Sequence, residues 1–393
     1  MSTLEVKVVR AEILEHPNAD ALEIARIGGE GGYQCVVGLG QFKNNDLVIY
    51  IPPDSIVPDN IFEYLSQNKI TIKGGRIRAI KIRKQFSEGL CLTPSQWLED
   101  KDIVEGKDVT EILGVTKYEP PPPSRGGMLG KGKGINTNYL NPEFTAYTCV
   151  ENSKKHPKVL QPGEEVVATI KWHGTNFRCG HAASLRRDWS WWTKFKKRFF
   201  GLKIVPMEFL VGSHNKIRRP SKATLESKYF DYKKTDTYWR AAEKYNLESV
   251  TRQIGENEAL LMDNPDQLPN VTLYAEIIGP GIQKGYEYGI EQGEIEIRVF
   301  DIRVNKVFLD WDRVVHLCDC FDLPTVQEVY RGPWSLDVAK LAQATDEYNG
   351  KKYNREGIVV RPVKERRDFR CGRVIFKFLS ETYLLDKTNS DNH

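Results

Sequence analysis

The sequence predicts two domains of different class: a small all-β barrel over residues 1–115 and a larger α+β domain over residues 139–393. Three observations carry this expectation. The first 115 residues break into short alternating strands separated by Gly and Pro turns. A stretch rich in Pro, Gly and Lys, residues 116–138, then interrupts every hydrophobic pattern. Beyond it, buried β-branched runs alternate with amphipathic helical patterns. A length of 393 residues suits two domains, three at most.

Composition limits the function classes. Hydrophobic residues make up 40% of the chain, enough for true cores, and the net charge is only +4. A nucleic-acid site must therefore come from local clustering of basic residues. The N-terminus, Met-Ser-Thr-Leu-Glu-Val-Lys, has no apolar signal core. No run approaches the length of a membrane span. The seven cysteines form no framework, and Cys318-x-Cys320 lacks the second pair that a zinc site needs. An intracellular protein, cytoplasmic or nuclear, is expected. A monomer is the expectation, although the sequence does not fix the oligomeric state.

In chain order, the first strands are Leu4–Leu14, Ala21–Ile27, Tyr33–Leu39 and Leu47–Ile51, with Gly28–Gly32 and Pro52-Pro53 as turns. Ile77–Ile82 and Glu88–Leu92 complete the set. That number fits a small closed barrel such as an OB-fold. His16–Glu23 and Ile80–Leu90 resemble stretches of the OB domains that bind tRNA in synthetase-associated proteins. Arg76, Arg78, Lys81, Arg83 and Lys84 are the candidate nucleic-acid contacts, since alternating charges on a strand line one face and a basic groove suits a phosphate backbone. The plainer alternative is a barrel that only supports the next domain.

Pro120–Pro123 followed by Ser124-Arg125-Gly126-Gly127 reads as a stiff tether turning flexible, extended by Lys131–Gly134. In the second domain, Glu165–Ile170 reads as a buried strand leading to Lys171-Trp172-His173-Gly174-Thr175-Asn176-Phe177. A lysine at such a strand end is partly desolvated, which disfavours the ammonium and favours a nucleophile. Gly174 permits a sharp turn or close approach of a ligand. An ordinary turn after a strand is the competing reading of these residues.

This stretch resembles motif I of the covalent nucleotidyltransferases, in the form used by nick-sealing RNA ligases; His173 stands where DNA ligases and capping enzymes usually carry Asp. The other motifs follow in order. Val211–Asn215 falls at motif Ia, with His214 where arginine is usual and Lys216, Arg218 or Arg219 as substitutes for the charge. Val271–Gly279 matches motif III, a buried strand interrupted by Glu276, which is costly without a partner. Arg298–Ile302 matches motif IIIa, whose aromatic, here Phe300, stacks on the purine. Arg355–Pro362 matches motif IV with Glu356, and Val374–Ser380 matches motif V with Lys377. Ile375 replaces a second motif V lysine, and Arg361 or Arg373 is the candidate compensation.

Two segments lie outside these motifs. Arg186–Phe200 places Trp192, Phe195 and Phe199 on one helical face among basic residues, as a surface helix, a base-stacking surface or a membrane-surface helix. Thr235–Asn246 reads as a helix with Tyr238, Ala241, Ala242 and Tyr245 on its apolar side.

The resemblance implies an α+β nucleotidyltransferase core of the ATP-grasp-like ligase adenylylation type behind an OB domain. It implies ATP as substrate, Mg2+ or Mn2+, and an RNA or RNA-containing nicked duplex as partner. Lys171 is the implied catalytic nucleophile. The implied nucleotide site comprises Lys171, His173, Gly174, Asn176, Glu276, Phe300, Glu356 and Lys377, with Glu276 and Glu356 serving the metal. Three steps follow: a lysyl-AMP adduct, transfer of AMP to a 5′-phosphate, and attack by a 3′-hydroxyl in RNA repair. The rivals are a DNA ligase on the same core, a capping guanylyltransferase, and a non-catalytic RNA-binding protein. A capping enzyme normally carries its OB domain after motif V. The binding module leaves Lys171, Glu276, Glu356 and Lys377 unexplained.

Overall fold

The computed structural model describes residues 4–119, 135–136, 138–185, 188–200, 205–226, 231–262 and 267–386, without the side chains of Lys197, Phe199 and Phe200. The expected tether Pro120–Gly134 therefore lies outside the described residues, as do Arg186, Arg187 and the side chain of Phe199.

The N-terminal part is an antiparallel sheet of strands β1 (Lys7–Glu15), β2 (Leu22–Ile27), β3 (Tyr33–Gly38), β4 (Leu47–Ile51) and, after a hairpin, β7 (Leu90–Leu92), in the order β3-β2-β1-β4-β7. The hairpin joins β5 (Ala79–Ile82) to β6 (Gln85–Glu88). Residues alternate along β1, so Val8 enters one core and Ala11 another. The first core also takes Ile61 and Leu65 from α1 (Asp59–Gln67), a helix the strand pattern does not announce. β6 lies beside β3, where Val36 N donates to Ser87 Oγ (3.0 Å) and Gln34 Nε2 to the Phe86 carbonyl (2.5 Å).

The expected strand Glu88–Leu92 is broken in two at Gly89. Its φ is +94°, and a Cβ there would stand 2.6 Å from the Ile51 carbonyl oxygen, so only glycine fits. The basic cluster also departs from the expectation. Arg76 lines the cleft between the two parts, but its side chain is largely buried rather than standing on an open strand face. Its guanidinium meets Asp54 at 2.7 Å and lies 3.5 Å above the Tyr118 ring. Arg83 and Lys84 form the two-residue hairpin turn, with φ of 48° and 70°, rather than continuing a strand face. Replacing Arg76 by Leu is expected to cost about 1–2 kcal/mol of stability through the lost cation–π contact and ion pair. It should leave the salt dependence of RNA binding unchanged. Urea unfolding and binding titrations check this.

The C-terminal part packs two five-stranded sheets. One has the order β8-β17-β16-β9-β15, from β8 (Glu151–Asn152), β9 (Glu165–Lys171), β15 (Glu328–Pro333), β16 (Gly357–Pro362) and β17 (Phe376–Leu379). The other has the order β11-β10-β12-β13-β14, from β10 (Thr175–Ala183), β11 (Met207–Ser213), β12 (Val271–Ile278), β13 (Glu296–Val304) and β14 (Val307–Phe308). Val167, Ile170, Phe177, Leu273, Ala275 and Ile277 share one core with three helices. These are α3 (Thr237–Lys244), α4 (Leu247–Leu261) and α5 (Trp311–Cys320). A shorter helix, α2 (Trp191–Phe200), stands between β10 and β11, and α6 (Glu381–Leu385) follows β17.

The helix expected over Thr235–Asn246 is α3. Asp236 caps it by accepting from Tyr238 N and Trp239 N, at 3.0 and 3.2 Å. Its buried face holds Trp239, Ala241 and Ala242, while Tyr238 and Tyr245 are half-buried.

Asp301 ties the two sheets together. It is fully buried on β13 and meets Arg361 of β16 at 3.4 Å, Arg373 at 2.7 Å and the Tyr147 hydroxyl at 2.7 Å. The N-terminal sheet is held on by Lys81 Nζ to Glu381 Oε2 (3.0 Å) and by Lys154 to Glu88. Between the two parts lies a cleft of ≈ 620 Å³ walled by Arg78, Lys81, Lys117, Lys155 and Lys377. No helix among the described residues is long and apolar enough to cross a membrane.

Candidate active site

Strand register brings the key lysines together. Lys171 ends β9 opposite Gly357, the first residue of β16. Thr169, two residues earlier and so on the same face, pairs with Val359, which in turn pairs with Lys377 of β17. Lys171 and Lys377 therefore occupy one face of the sheet. Glu356 precedes Gly357, and its Oε1 accepts from Lys171 Nζ at 2.5 Å. Gly357 is required here because a Cβ would sit 2.0 Å from the Phe378 carbonyl oxygen.

His173 is buried two residues beyond the lysine. Its Nδ1 lies 3.3 Å from Glu356 Oε2 and 3.5 Å from the Tyr383 hydroxyl. Tyr286 and Tyr383 pack edge-on against the ring, at centroid distances of 4.7 and 5.3 Å. The backbone N–H of His173 donates to the Tyr288 hydroxyl at 2.9 Å. Gly174 N donates to Glu276 Oε1 at 3.0 Å, and Gln283 Nε2 donates to the Gly174 carbonyl at 3.0 Å. The turn is thus pinned from three sides. Asn176 pairs with Glu276 across β10 and β12, and its Oδ1 is buried without a hydrogen-bond partner.

The electrostatics follow from this packing. Burial pushes the Glu356 carboxyl up, but Lys171 and His173 outweigh it and hold the group below its usual range. Burial, aided by the nearby Lys171 charge, pulls the Lys377 ammonium down. The site therefore holds an ionised carboxylate against the lysine, with a second lysine that loses its proton more readily than usual.

Lys171, His173, Gly174, Asn176, Glu276 and Glu356 converge, and Lys377 joins them along the sheet face. Phe300 lies on β13, the strand paired with the Glu276 strand β12. It occupies a β-bulge opposite Tyr274 and Ala275, its ring 4.8 Å from Tyr147 and its carbonyl held by Arg361 at 2.9 Å. Arg361 and Arg373 are both buried against Asp301, which removes them as substitutes for the lysine absent at Ile375. Ile375 itself is core.

At motif Ia, Arg218 is linked to the turn through Tyr238. It pairs with Asp236 at 2.9 Å and lies over the Tyr238 ring, whose hydroxyl is 3.0 Å from Thr175 Oγ1. Arg219 instead faces Asp188 and Glu208, at 3.4 and 3.5 Å. The sequence reading missed Gln283, Tyr286, Tyr288 and Tyr383. For Gln283, Tyr286 and Tyr288 the signal was the run of polar and aromatic residues just after motif III, whereas Tyr383 lies beyond motif V with no such mark.

No group of three or more His, Cys, Asp or Glu side chains forms a ready metal cage among the described residues. Glu276 and Glu356 nonetheless suit a cation that keeps most of its water. Magnesium binds in that way, and the two carboxylates bracket the turn, Glu356 at Lys171 and Glu276 at Gly174 N.

Comparison with known families decides the kinship. The family model described as RNA ligase matches residues 164–379, more than half of the chain. The chain belongs to the RNA ligase family. An OB-fold domain model covers residues 5–94 of this ligase. Among solved structures, Naegleria gruberi RNA ligase with pyrophosphate is 23% identical, with a TM-score of 0.66 over 98% of this chain and 99% of that one. A lysine-to-alanine variant of the same protein with ATP and Mn is also 23% identical, with a TM-score of 0.64 over 96% and 98% of the two chains. Another such variant with ATP and Mn is 24% identical, with a TM-score of 0.64 over the whole of both. At these identities the likeness concerns the fold: a nucleotidyltransferase-type ligase domain behind an OB domain. No curated protein matches the ligase significantly.

Proposed function

We propose that this RNA ligase uses ATP to seal 3′-hydroxyl/5′-phosphate breaks in RNA through a lysyl-AMP adduct at Lys171. The observation carrying this reading is Lys171 Nζ held 2.5 Å from Glu356, on the same sheet face as Lys377. The RNA ligase solved with ATP and Mn supports ATP as the nucleotide and a divalent cation beside it.

In the first step Lys171 Nζ gives its lone pair to the α-phosphorus, and the bond to pyrophosphate breaks. The ammonium must first lose a proton, and Glu356 Oε1 is the adjacent acceptor. Phosphoryl transfer depends on in-line placement and charge neutralisation, so Lys377 serves by facing the phosphates. Glu276 and Glu356 would hold a hydrated divalent cation, which would add to the charge neutralisation when bound. His173 acts as a wedge among Tyr286, Tyr288 and Tyr383 that fixes Glu356, instead of replacing the aspartate of related motifs. In the second step a 5′-phosphate oxygen takes the adenylyl group and Lys171 recovers its nitrogen lone pair. In the third, the 3′-hydroxyl loses its proton and attacks the phosphorus of the RNA's own 5′-phosphate, so that a 3′–5′ phosphodiester forms and the bond to AMP breaks. Asn176, with its unpartnered Oδ1, is placed to orient a hydroxyl. The residue ranges 1–115 and 139–393 serve as the RNA-gripping and transferase units.

The test uses four nicked duplexes that differ only in the sugars flanking the nick. An A-form end and its 2′-hydroxyl distinguish RNA from DNA on the 3′-hydroxyl side. Sealing should fall at least about tenfold with a deoxy 3′ end, a change of about 1.4 kcal/mol in the barrier, and tolerate DNA at the 5′-phosphate. Equal sealing of all four duplexes would refute the RNA assignment.

A further inference from the structure

The helix α2 plays no part in the site described above. It leaves β10 at the end opposite Thr175, eight residues along the strand, or roughly 25 Å away. Trp191 and Trp192 are each 64% exposed. Their rings pack on each other at 4.6 Å, and Phe195 lies 5.4 Å from Trp191. At about 100° of turn per residue, Trp191, Trp192 and Phe195 fall within one arc. Lys194 and Arg198 flank that arc on one side and Lys196 on the other. Between Trp189 and Met207 the sequence contains no acidic residue.

The same end of the sheet exposes more apolar surface. Leu260 and Leu261 at the end of α4, and Val307 on β14, are each more exposed than the tryptophans. Short contacts knit this end together. Val205 N donates to Gln267 Oε1 (3.0 Å), Gln267 Nε2 approaches Met207 Sδ (3.9 Å), and Asn305 Nδ2 approaches Met262 Sδ (3.8 Å). Asp263 and Asp266 follow Met262 in the sequence, so the positive charge of this end belongs to the helix side.

We infer that α2 is an interfacial docking helix for an anionic lipid surface. An aromatic face flanked by Lys and Arg on both sides is the composition that seats a helix in a lipid headgroup layer. Grouped exposed apolar residues of this kind mark an interaction surface rather than chance exposure. Base stacking fits less well. It needs open ring faces in a row, whereas these rings close on one another, and exposed leucines add nothing to a stack. The position at the far end of the sheet leaves the Lys171 turn open to RNA while the helix is seated.

The test is flotation of the full-length protein with vesicles of phosphatidylcholine alone or mixed with phosphatidylserine, alongside binding to a nicked RNA duplex. The parent should partition onto the anionic vesicles about tenfold more than onto the neutral ones, and less as salt rises. Trp191→Ser with Trp192→Ser should cut that partition about tenfold, with AMP labelling of Lys171 and RNA binding unchanged. Lys194→Glu with Lys196→Glu should abolish the preference for anionic vesicles, which keeps the test decisive if the tryptophan variant misfolds. Absent partition of the parent, equal partition onto both vesicles, or partition indifferent to these substitutions overturns the inference. So does a tryptophan variant that binds RNA more weakly and vesicles as before, which would make α2 a nucleic-acid contact.

Discussion

Lys171→Ala is expected to lower covalent AMP labelling below about one thousandth of the parent signal, since loss of a nucleophile removes the step itself. The bond lost is an acid-labile, base-stable phosphoramidate. The fold should survive, because Lys171 ends its strand half-buried and its backbone pairing with Gly357 needs no side chain. Glu356 keeps His173 as a neighbour at 3.3 Å. Joining of a preadenylylated nick should continue, because that step asks nothing of the lysine nitrogen. Labelled ATP followed by denaturing electrophoresis gives the answer. Label retained in the variant, or parent labelling by GTP in preference to ATP, would remove the proposed mechanism.

Asp301→Asn should be the most damaging single change to stability, at about 3–5 kcal/mol. The substitution keeps the shape and deletes the charge. Arg361 and Arg373 then stay buried with their shared counter-ion gone, although Arg373 retains Glu365 at 2.7 Å. Arg361 keeps the Phe300 carbonyl at 2.9 Å, the Trp311 ring at 4.6 Å and the more distant charge of Glu328. Because β13 and β16 belong to different sheets, the loss is felt as loosening of sheet on sheet. Urea denaturation measures it, and a change under about 1 kcal/mol would mean that the cluster is worth no more than a surface pair.

The motif strands were legible because they are apolar runs broken or bounded by a few charged residues, and a buried charge demands a reason. Lys171, Glu276 and Glu356 stand out in that way, and strand register then places them. The side-chain direction of Phe300 was not legible, because it depends on a bulge that shifts the register and leaves no mark in the pattern. Arg76 looked like its neighbours in sequence, but Asp54 and Tyr118, far along the chain, draw it inward. Arg361 and Arg373 looked available for phosphate until Asp301 arrived from the other sheet. Alternation says which residues share a face and is silent on which distant element covers it. The tyrosines around His173 illustrate the same limit, since Tyr288 and Tyr383 lie more than a hundred residues away from it.

The ion pair between Lys81 and Glu381 has a reach beyond holding two domains in place. Glu381 opens the short helix α6, and two residues later Tyr383 touches His173, which braces Glu356 against Lys171. One short helix thus carries both a contact to the barrel hairpin, at Glu381, and a contact to the shell of the nucleophile, at Tyr383. The two meet through the backbone of α6, since residues two apart on a helix do not face each other. The hairpin and the carboxylate beside the amine are therefore anchored to the same five-residue element.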